Sequence, residues 1–402
     1  MKVNLERIKN NLNEINNIKN HELCGYTRIA HSIEEKEALK WIEDKVSKLP
    51  MLTKQDKIGN FFSRYGDSHK KAIAIGSHID TVSEGGFFDG SLGVIISLEC
   101  IQTLIENNYN PNDNVPIELI GFIAEESNPL GGTFGSRALA GLLSFSSNYE
   151  EKLKEFGYSW DDVVSSKQTS DSYHYFLETH IEQGPLLEYN NKSIGVVTSI
   201  TGMIKLSVLI HGLANHAGTT PIHLREDALV KTAGLIQKIN ELAALEDNIV
   251  ATVGKMSIEP NASNIIPGKV YLTLDIRGKT SEEMNKFKNH IIEWSKKNIN
   301  ANFSIIDKKQ PSLMSKEVYE CTEKACQKRN ISFQKIFSGA GHDARSMSNI
   351  TKSGMIFIPS KDGISHRYDE FSSWEQIETG ANITLNTIER LIKLASQTVK
   401  SF

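Results

Sequence analysis

The stretch that decides the fold is Ala72-Ile73-Ala74-Ile75-Gly76-Ser77-His78-Ile79-Asp80-Thr81-Val82, continued by Gly90 to Ile105 and by Ile117-Glu118-Leu119-Ile120-Gly121-Phe122-Ile123. The first four residues are an apolar run of strand length that stops at a glycine, as in a strand covered on both faces. Gly90 to Ile105 is long enough for a buried helix, and 117–123 repeats the apolar strand pattern. Strand, helix, strand in that order predicts an α/β domain with a mostly parallel central sheet.

Working outward, apolar residues at helical spacing (Ile8, Leu12, Ile15, then Ala38, Leu39, Ile42, Val46, Leu49) predict two amphipathic helices before the sheet begins. From Lys205 the rhythm changes. A strand (206–210), a helix (227–245), two strands (249–258 and 269–277), a helix (281–298) and a strand (302–306) give the ferredoxin-like order β-α-β-β-α-β. After Gln310-Pro311 come a helix (318–328), a strand, a loop (339–343), a strand (355–359) and a long closing helix (374–396). The pattern predicts a discontinuous larger domain, residues 1–204 and 312–402, with a smaller domain, 205–311, inserted into it.

Composition excludes whole classes of function. A chain of 402 residues is too long for one small binding module, and 39% hydrophobic residues suffice for a sizeable core. With 45 Lys+Arg against 49 Asp+Glu the net charge is −4, and no run of one sign marks a nucleic-acid or anionic-membrane partner. The N-terminus has no continuous apolar segment, and no later stretch approaches about 18 apolar residues. A cytoplasmic location is therefore expected. Cys24, Cys100, Cys321 and Cys326 are too few for a disulfide scaffold, and the last two lack the neighbouring His of a metal site.

Chemistry gathers at the ends of predicted strands, where open α/β sheets bind ligands. His78 follows the first strand; Asp80, two residues on, is placed to accept a hydrogen bond from its second ring nitrogen. Asp89 lies in Gly85-Gly86-Phe87-Phe88-Asp89-Gly90, where a carboxylate can bridge two cations. In Ala124-Glu125-Glu126 one acid can ligate a metal while the other activates water. His180 (in Leu177 to Pro185) and His366 (in Asp362 to His366) complete a set of imidazoles and carboxylates sufficient for two divalent ions. The set suits zinc, with manganese, cobalt or nickel as further candidates. Each piece alone is ordinary: a His after a strand is more often a hydrogen-bonded core residue, and a Glu-Glu pair more often a solvated face. Their combination carries the reading.

Gly76 to Val82 with Phe88-Asp89-Gly90, His180-Ile181-Glu182-Gln183-Gly184-Pro185, His216-Ala217-Gly218-Thr219-Thr220-Pro221, Asp275-Ile276-Arg277, Gly339-Ala340-Gly341-His342-Asp343-Ala344 and Gly363-Ile364-Ser365-His366 together carry a resemblance. From Thr27 to the closing helix, the chain resembles the di-zinc aminoacylase-like metallopeptidase superfamily. Within it, the chain is similar to the allantoate amidohydrolase and N-carbamoyl-L-amino-acid hydrolase (ureidopropionase-like) branch. The resemblance implies that His78, Asp89 and His180 hold one metal and that Asp89, Glu126 and His366 hold the other. Glu125 would be the general base acting on a metal-bridged water. His216 would stabilise the oxyanion, reaching the active site of a partner subunit. Asn264, Arg277, Gly341 and His342 would hold substrate, and the inserted domain would serve as lid and homodimer contact. On residue chemistry alone, Arg277 reads equally as a surface ion pair and Asn264 as a turn former.

Two positions depart from the branch. Met203 follows Gly202 where allantoate-specific members tend to carry Gln, and Ser127-Asn128-Pro129-Leu130 replaces the usual Gly-x-Arg-Phe, leaving that loop one residue shorter. The expected activity is hydrolysis of a carbamoyl C–N bond in a small carboxylate-bearing substrate, such as an N-carbamoyl-L-amino acid or allantoate. Rival readings are a dipeptidase or N-acyl-amino-acid deacylase of the same superfamily, and a non-catalytic metal- or metabolite-binding protein, which predicts a missing ligand or base.

Overall fold

The computed structural model describes residues 1–112 and 114–400. Two helices open the chain, each started by a side chain that satisfies a free amide. In α1 (Leu5–Asn16) the cap is Asn4, which accepts from the Arg7 amide, and in α2 (Ile33–Val46) it is Ser32, which accepts from the Glu35 amide. The residues they bury, Ile8, Leu12 and Ile15, then Ala38, Leu39, Ile42 and Val46, are those whose spacing predicted them.

The strands β1 (Leu52–Gln55), β2 (Phe61–Tyr65) and β3 (Ala72–His78) follow. After them come α3 (Ser91–Glu106), β4 (Ile117–Phe122), the short helices α4 (Phe134–Leu139), α5 (Ser147–Glu155) and α6 (Trp160–Ser166), β5 (Tyr173–Ile181), α7 (Leu186–Tyr189) and β6 (Ile194–Ile200). β3 and β4 are buried at every position, and α3 is buried almost all round, as expected for a central strand-helix-strand unit.

The next segment contains β7 (Gly202–His211), β8 (Asn215–His216), α8 (Ala228–Ala243), β9 (Ile249–Glu259), β10 (Ile265–Ile266), β11 (Lys269–Gly278), α9 (Ser281–Asn298) and β12 (Ala301–Lys309). The chain then returns with β13 (Ser312–Leu313), α10 (Lys316–Lys328), β14 (Phe333–Ser338), α11 (Asp343–Met347), β15 (Lys352–Ile358) and α12 (Trp374–Lys400).

Two compact units result: Met1–Thr198 with Leu313–Phe402, and Ser199–Ser312. The first holds the large sheet, in the order β1-β2-β4-β3-β5-β15-β6-β13 with β14 beside β6. Its centre, β4-β3-β5-β15, is parallel, whereas β1-β2-β4 and β15-β6 pair antiparallel, so the sheet is a parallel core with antiparallel flanks. The second unit has a four-stranded antiparallel sheet in the order β12-β7-β11-β9. β7 alternates buried and half-buried residues, and the buried set (Ile204, Leu206, Val208, Ile210) packs with Leu235 of α8 and Phe287 of α9 into a separate core. β7 begins at Gly202, four residues before the predicted strand, because Met203 and Lys205 fall on its open face and dilute the apolar signal. Among the described residues no helix is long and apolar enough to cross a membrane.

Candidate metal centre

Three neighbouring strands of the parallel core deliver the site at their C-terminal ends: β3 ends on His78, β5 carries His180 one residue from its end, and β4 runs out just before Glu125 and Glu126. Asp89 sits among them. Its Oδ1 lies 3.1 Å from His180 Nε2 and 3.6 Å from His78 Nε2, and its Oδ2 lies 3.1 Å from His366 Nε2. His366 Nε2 is also 3.3 Å from Glu126 Oε1, and Glu125 Oε2 is 4.0 Å from His78 Nε2. All are buried except His366, whose side chain is 47% exposed. Close approach dictates Gly90: at φ +64° its Cα lies on the His78 ring, and a Cβ there would come within 2.3 Å of Cε1.

The hydrogen bonds state which ring nitrogens carry protons. His78 Nδ1 lies 3.0 Å from the Asp80 carbonyl and His180 Nδ1 2.9 Å from the Ile181 carbonyl; a carbonyl only accepts, so both Nδ1 atoms donate. The two Nε2 atoms face each other at 3.5 Å, and Asp89 Oδ1 and Glu126 Oε1 receive no hydrogen bond from any described residue. Lone pairs and carboxylates crowded this way call for positive charge between them. Without a cation, protons are the remaining relief. Burial pulls the His78 and His180 pKa values down, yet the neighbouring carboxylates of Asp80 and Asp89 outweigh it and raise both. Burial pushes Glu125 and Glu126 upward. The donor set therefore fits divalent cations, in the overlapping groups His78, Asp89, His180 and Asp89, Glu126, His366, each with ligand atoms within 4.8 Å of one another.

Asp80 departs from its expected role. His78 Nδ1 lies 3.0 Å from the Asp80 carbonyl and 3.5 Å from Asp80 Oδ1, so the backbone oxygen is its nearer partner. Instead, Asp80 Oδ1 accepts from the Glu125 amide and Oδ2 from the Glu126 amide, both at 3.0 Å. The amide before these, Ala124, is at φ +52° and donates to Glu35 Oε1 at 2.8 Å. Two buried carboxylates thus hold three successive amides of the acidic turn. Sequence reasoning missed Glu35, although its place on the buried stripe of α2, four residues before Leu39, was the signal. It also passed over Gln183, whose Nε2 lies 3.2 Å from Asp89 Oδ2 and 3.3 Å from His366 Nε2. The loop after Glu126 is closed by Asn128, which donates to the Ala124 and Glu126 carbonyls and accepts from the Leu130 amide.

The remaining candidates are placed as follows. Gly341 is exposed ahead of α11, whereas His342 is buried, its Nε2 2.9 Å from Ser338 Oγ and its ring 4.6 Å from that of His180. Burial and the His180 charge press the His342 pKa well below the usual imidazole range, so it is neutral. His216, Asn264 and Arg277 belong to the second unit. His216 is exposed on β8, and its Nδ1 accepts from the amides of Gly218 and Thr219, which leaves the proton of a neutral ring on Nε2. The Asn264 carbonyl accepts from the Ala217 amide, bringing Asn264 beside His216. Arg277 is exposed on β11, with its Nε 3.2 Å from Asp275 Oδ1, and lies directly across from Met203 of β7.

The profile of Peptidase family M20/M25/M40 matches residues 74–390, a span that contains all five clustered residues around Asp89. The chain belongs to this family. Within M20/M25/M40, it is 31% identical to the N-carbamoyl-L-amino-acid amidohydrolase of Paenarthrobacter aurescens, over 97% of this chain and 98% of the relative. It is 30% identical to the allantoate amidohydrolase of Bacillus subtilis, over 91% and 93%. A solved hydantoinase/carbamoylase family amidase from Burkholderia multivorans superposes with a TM-score of 0.86 at 28% identity, covering 98% of both chains.

Proposed function

We propose that this M20/M25/M40 protein is a metal-dependent amidohydrolase that cleaves a carbamoyl C–N bond in a small carboxylate-bearing substrate, with N-carbamoyl-L-amino acids preferred over allantoate. The observation that carries the reading is the cluster of imidazoles and carboxylates around Asp89, in which Asp89 Oδ1 and Glu126 Oε1 receive no hydrogen bond from any described residue, with a further acid, Glu125, at its edge. The names of its relatives point to the same bond.

In this reading His78, Asp89 and His180 hold one ion and Asp89, Glu126 and His366 the other. Such ions would polarise a carbonyl and bring the pKa of water down toward about 7. Glu125, its backbone fixed by Asp80, takes the proton of the attacking water and passes it to the leaving nitrogen. His216 donates from Nε2 to the carbonyl oxygen as it gains charge. Arg277 offers a two-pronged guanidinium to the substrate carboxylate. Met203 beside it is an apolar neighbour that offers no hydrogen bond to a second ureido group, which disfavours allantoate. The atoms balance: one water and one N-carbamoyl amino acid give the amino acid and carbamic acid, which falls apart into carbon dioxide and ammonia. Gathering His216, Asn264 and Arg277 on the second unit suits a lid that closes on substrate and joins a homodimer, with His216 serving the partner subunit.

Ammonia release from N-carbamoyl-L-amino acids, N-carbamoyl-β-alanine and allantoate, beside hydrolysis of dipeptides and N-acyl amino acids, tests the proposal. With zinc, manganese, cobalt or nickel supplied, fastest turnover is expected on an N-carbamoyl-L-amino acid, and Glu125→Gln should abolish it while metal stays bound. Dipeptide or N-acyl cleavage without ureido cleavage, or near-normal turnover by Glu125→Gln, overturns it.

A further inference from the structure

We propose that Glu370 is a positioning residue that holds the exposed half of the metal centre, Asp89 with His366, in ligating geometry. The proposal rests on the metal reading above. Glu370 stands four residues after His366 and is buried. Its Oε1 accepts from two successive amides, Phe88 at 3.0 Å and Asp89 at 3.1 Å, and its Oε2 accepts from Ser365 Oγ at 3.0 Å. One carboxylate therefore grips the loop that carries Asp89 and the loop that carries His366. The grip does not pass through either ligand side chain.

The surroundings are built for it. Gly86 is a glycine because Glu370 lies on its Cα: a Cβ there would come within 2.2 Å of Glu370 Cδ. Glu370 is itself 4% exposed, which strengthens its hydrogen bonds, and the ring of Phe88, whose amide it accepts from, meets the rings of Phe371 at 6.5 Å and Trp374 at 6.0 Å. His366 needs such support, being half-exposed and held at φ +58°.

The test is titration of the metal-free full-length protein with zinc against a chromophoric chelator. The wild type should bind two ions per chain. Glu370→Ala should weaken one of them 10- to 100-fold, the usual effect of losing a partner that orients ligands, and the other, which shares Asp89 but keeps His78 and His180, clearly less. It should be the ion lost in His366→Ala, so that Glu370→Ala adds nothing in that background. Glu370→Gln, which keeps an acceptor for the amides and can donate to Ser365, should recover most of the affinity. Ser365→Ala, which removes one link without touching the carboxylate, should weaken the same ion several-fold even if Glu370→Ala fails to fold. Equal weakening of both ions, or two wild-type affinities in Glu370→Ala and Ser365→Ala, overturns the role of Glu370. A wild type that binds no zinc overturns the metal reading itself, and the role of Glu370 with it.

Discussion

At the residue scale the site is an arrangement of acceptors. His78 and His180 donate their Nδ1 protons to backbone carbonyls, and the buried carboxylates of Asp80 and Glu35 accept from the amides of the acidic turn, so that their Nε2 atoms and the Asp89 carboxylate are what face the centre. Each carboxylate oxygen of Asp80 has its own amide. Asp80→Asn must therefore set an NH2 group against a backbone N–H, leaving a buried donor unpaired at a cost of about 1–3 kcal/mol. The expected result is a large fall in kcat, because the acidic turn that carries Glu125 and Glu126 shifts; unchanged kcat would contradict it. Glu35→Gln forces the same mismatch on Ala124 or His31, whose amides it receives separately. A loss of about 1–3 kcal/mol in denaturant unfolding is expected. His216→Ala should lower kcat by about 10²- to 10³-fold, the usual effect of removing one oxyanion donor, with metal stoichiometry intact. Loss of bound metal in that variant would contradict the assignment.

At the element scale, legibility followed burial. β3, α3 and β4 were readable because nearly every residue is apolar and buried, so length and glycine punctuation distinguish strand from helix. β5 was not. Its nine residues are almost wholly buried, yet His174, Glu178 and His180 interrupt the apolar run, and the interruption is functional: Glu178 accepts from Ser77 Oγ and from the Ala344 amide beside the site. β1 is exposed at all four positions and leaves no apolar pattern. The ligand residues could be found from strand ends and glycine turns. The residues that orient them could not, since Glu35 and Glu370 act through backbone amides across 89 and 281 positions of sequence. Ile96→Ala, at the fully buried heart of α3, should cost about 2–5 kcal/mol, whereas Ile305→Ala, at a residue 55% exposed on β12, should stay within about 0.5 kcal/mol. Equal effects in denaturant unfolding would contradict the assignment of the core.

At the scale of the whole molecule, the proposed chemistry is divided between two compact units. The first gathers His78, Asp89, Glu125, Glu126, His180 and His366 at the ends of a parallel sheet; the second carries His216 and Arg277 on antiparallel strands and Asn264 in the turn before β10. That division suits a reaction in which one unit activates water and the other recognises a small anion. It accords with a net charge of only −4, since a small metabolite needs local charges and no global field. Arg277→Ala should raise KM for every carboxylate-bearing substrate by at least tenfold. The central claim is that cations held around Asp89 drive cleavage of a ureido bond. Its most direct test is ammonia release from an N-carbamoyl-L-amino acid by protein stripped with chelator and then titrated with zinc, manganese, cobalt or nickel. The account predicts no release from the stripped protein and recovery that saturates at two ions per chain; full activity in the stripped protein, or none with any of the four metals, would contradict it.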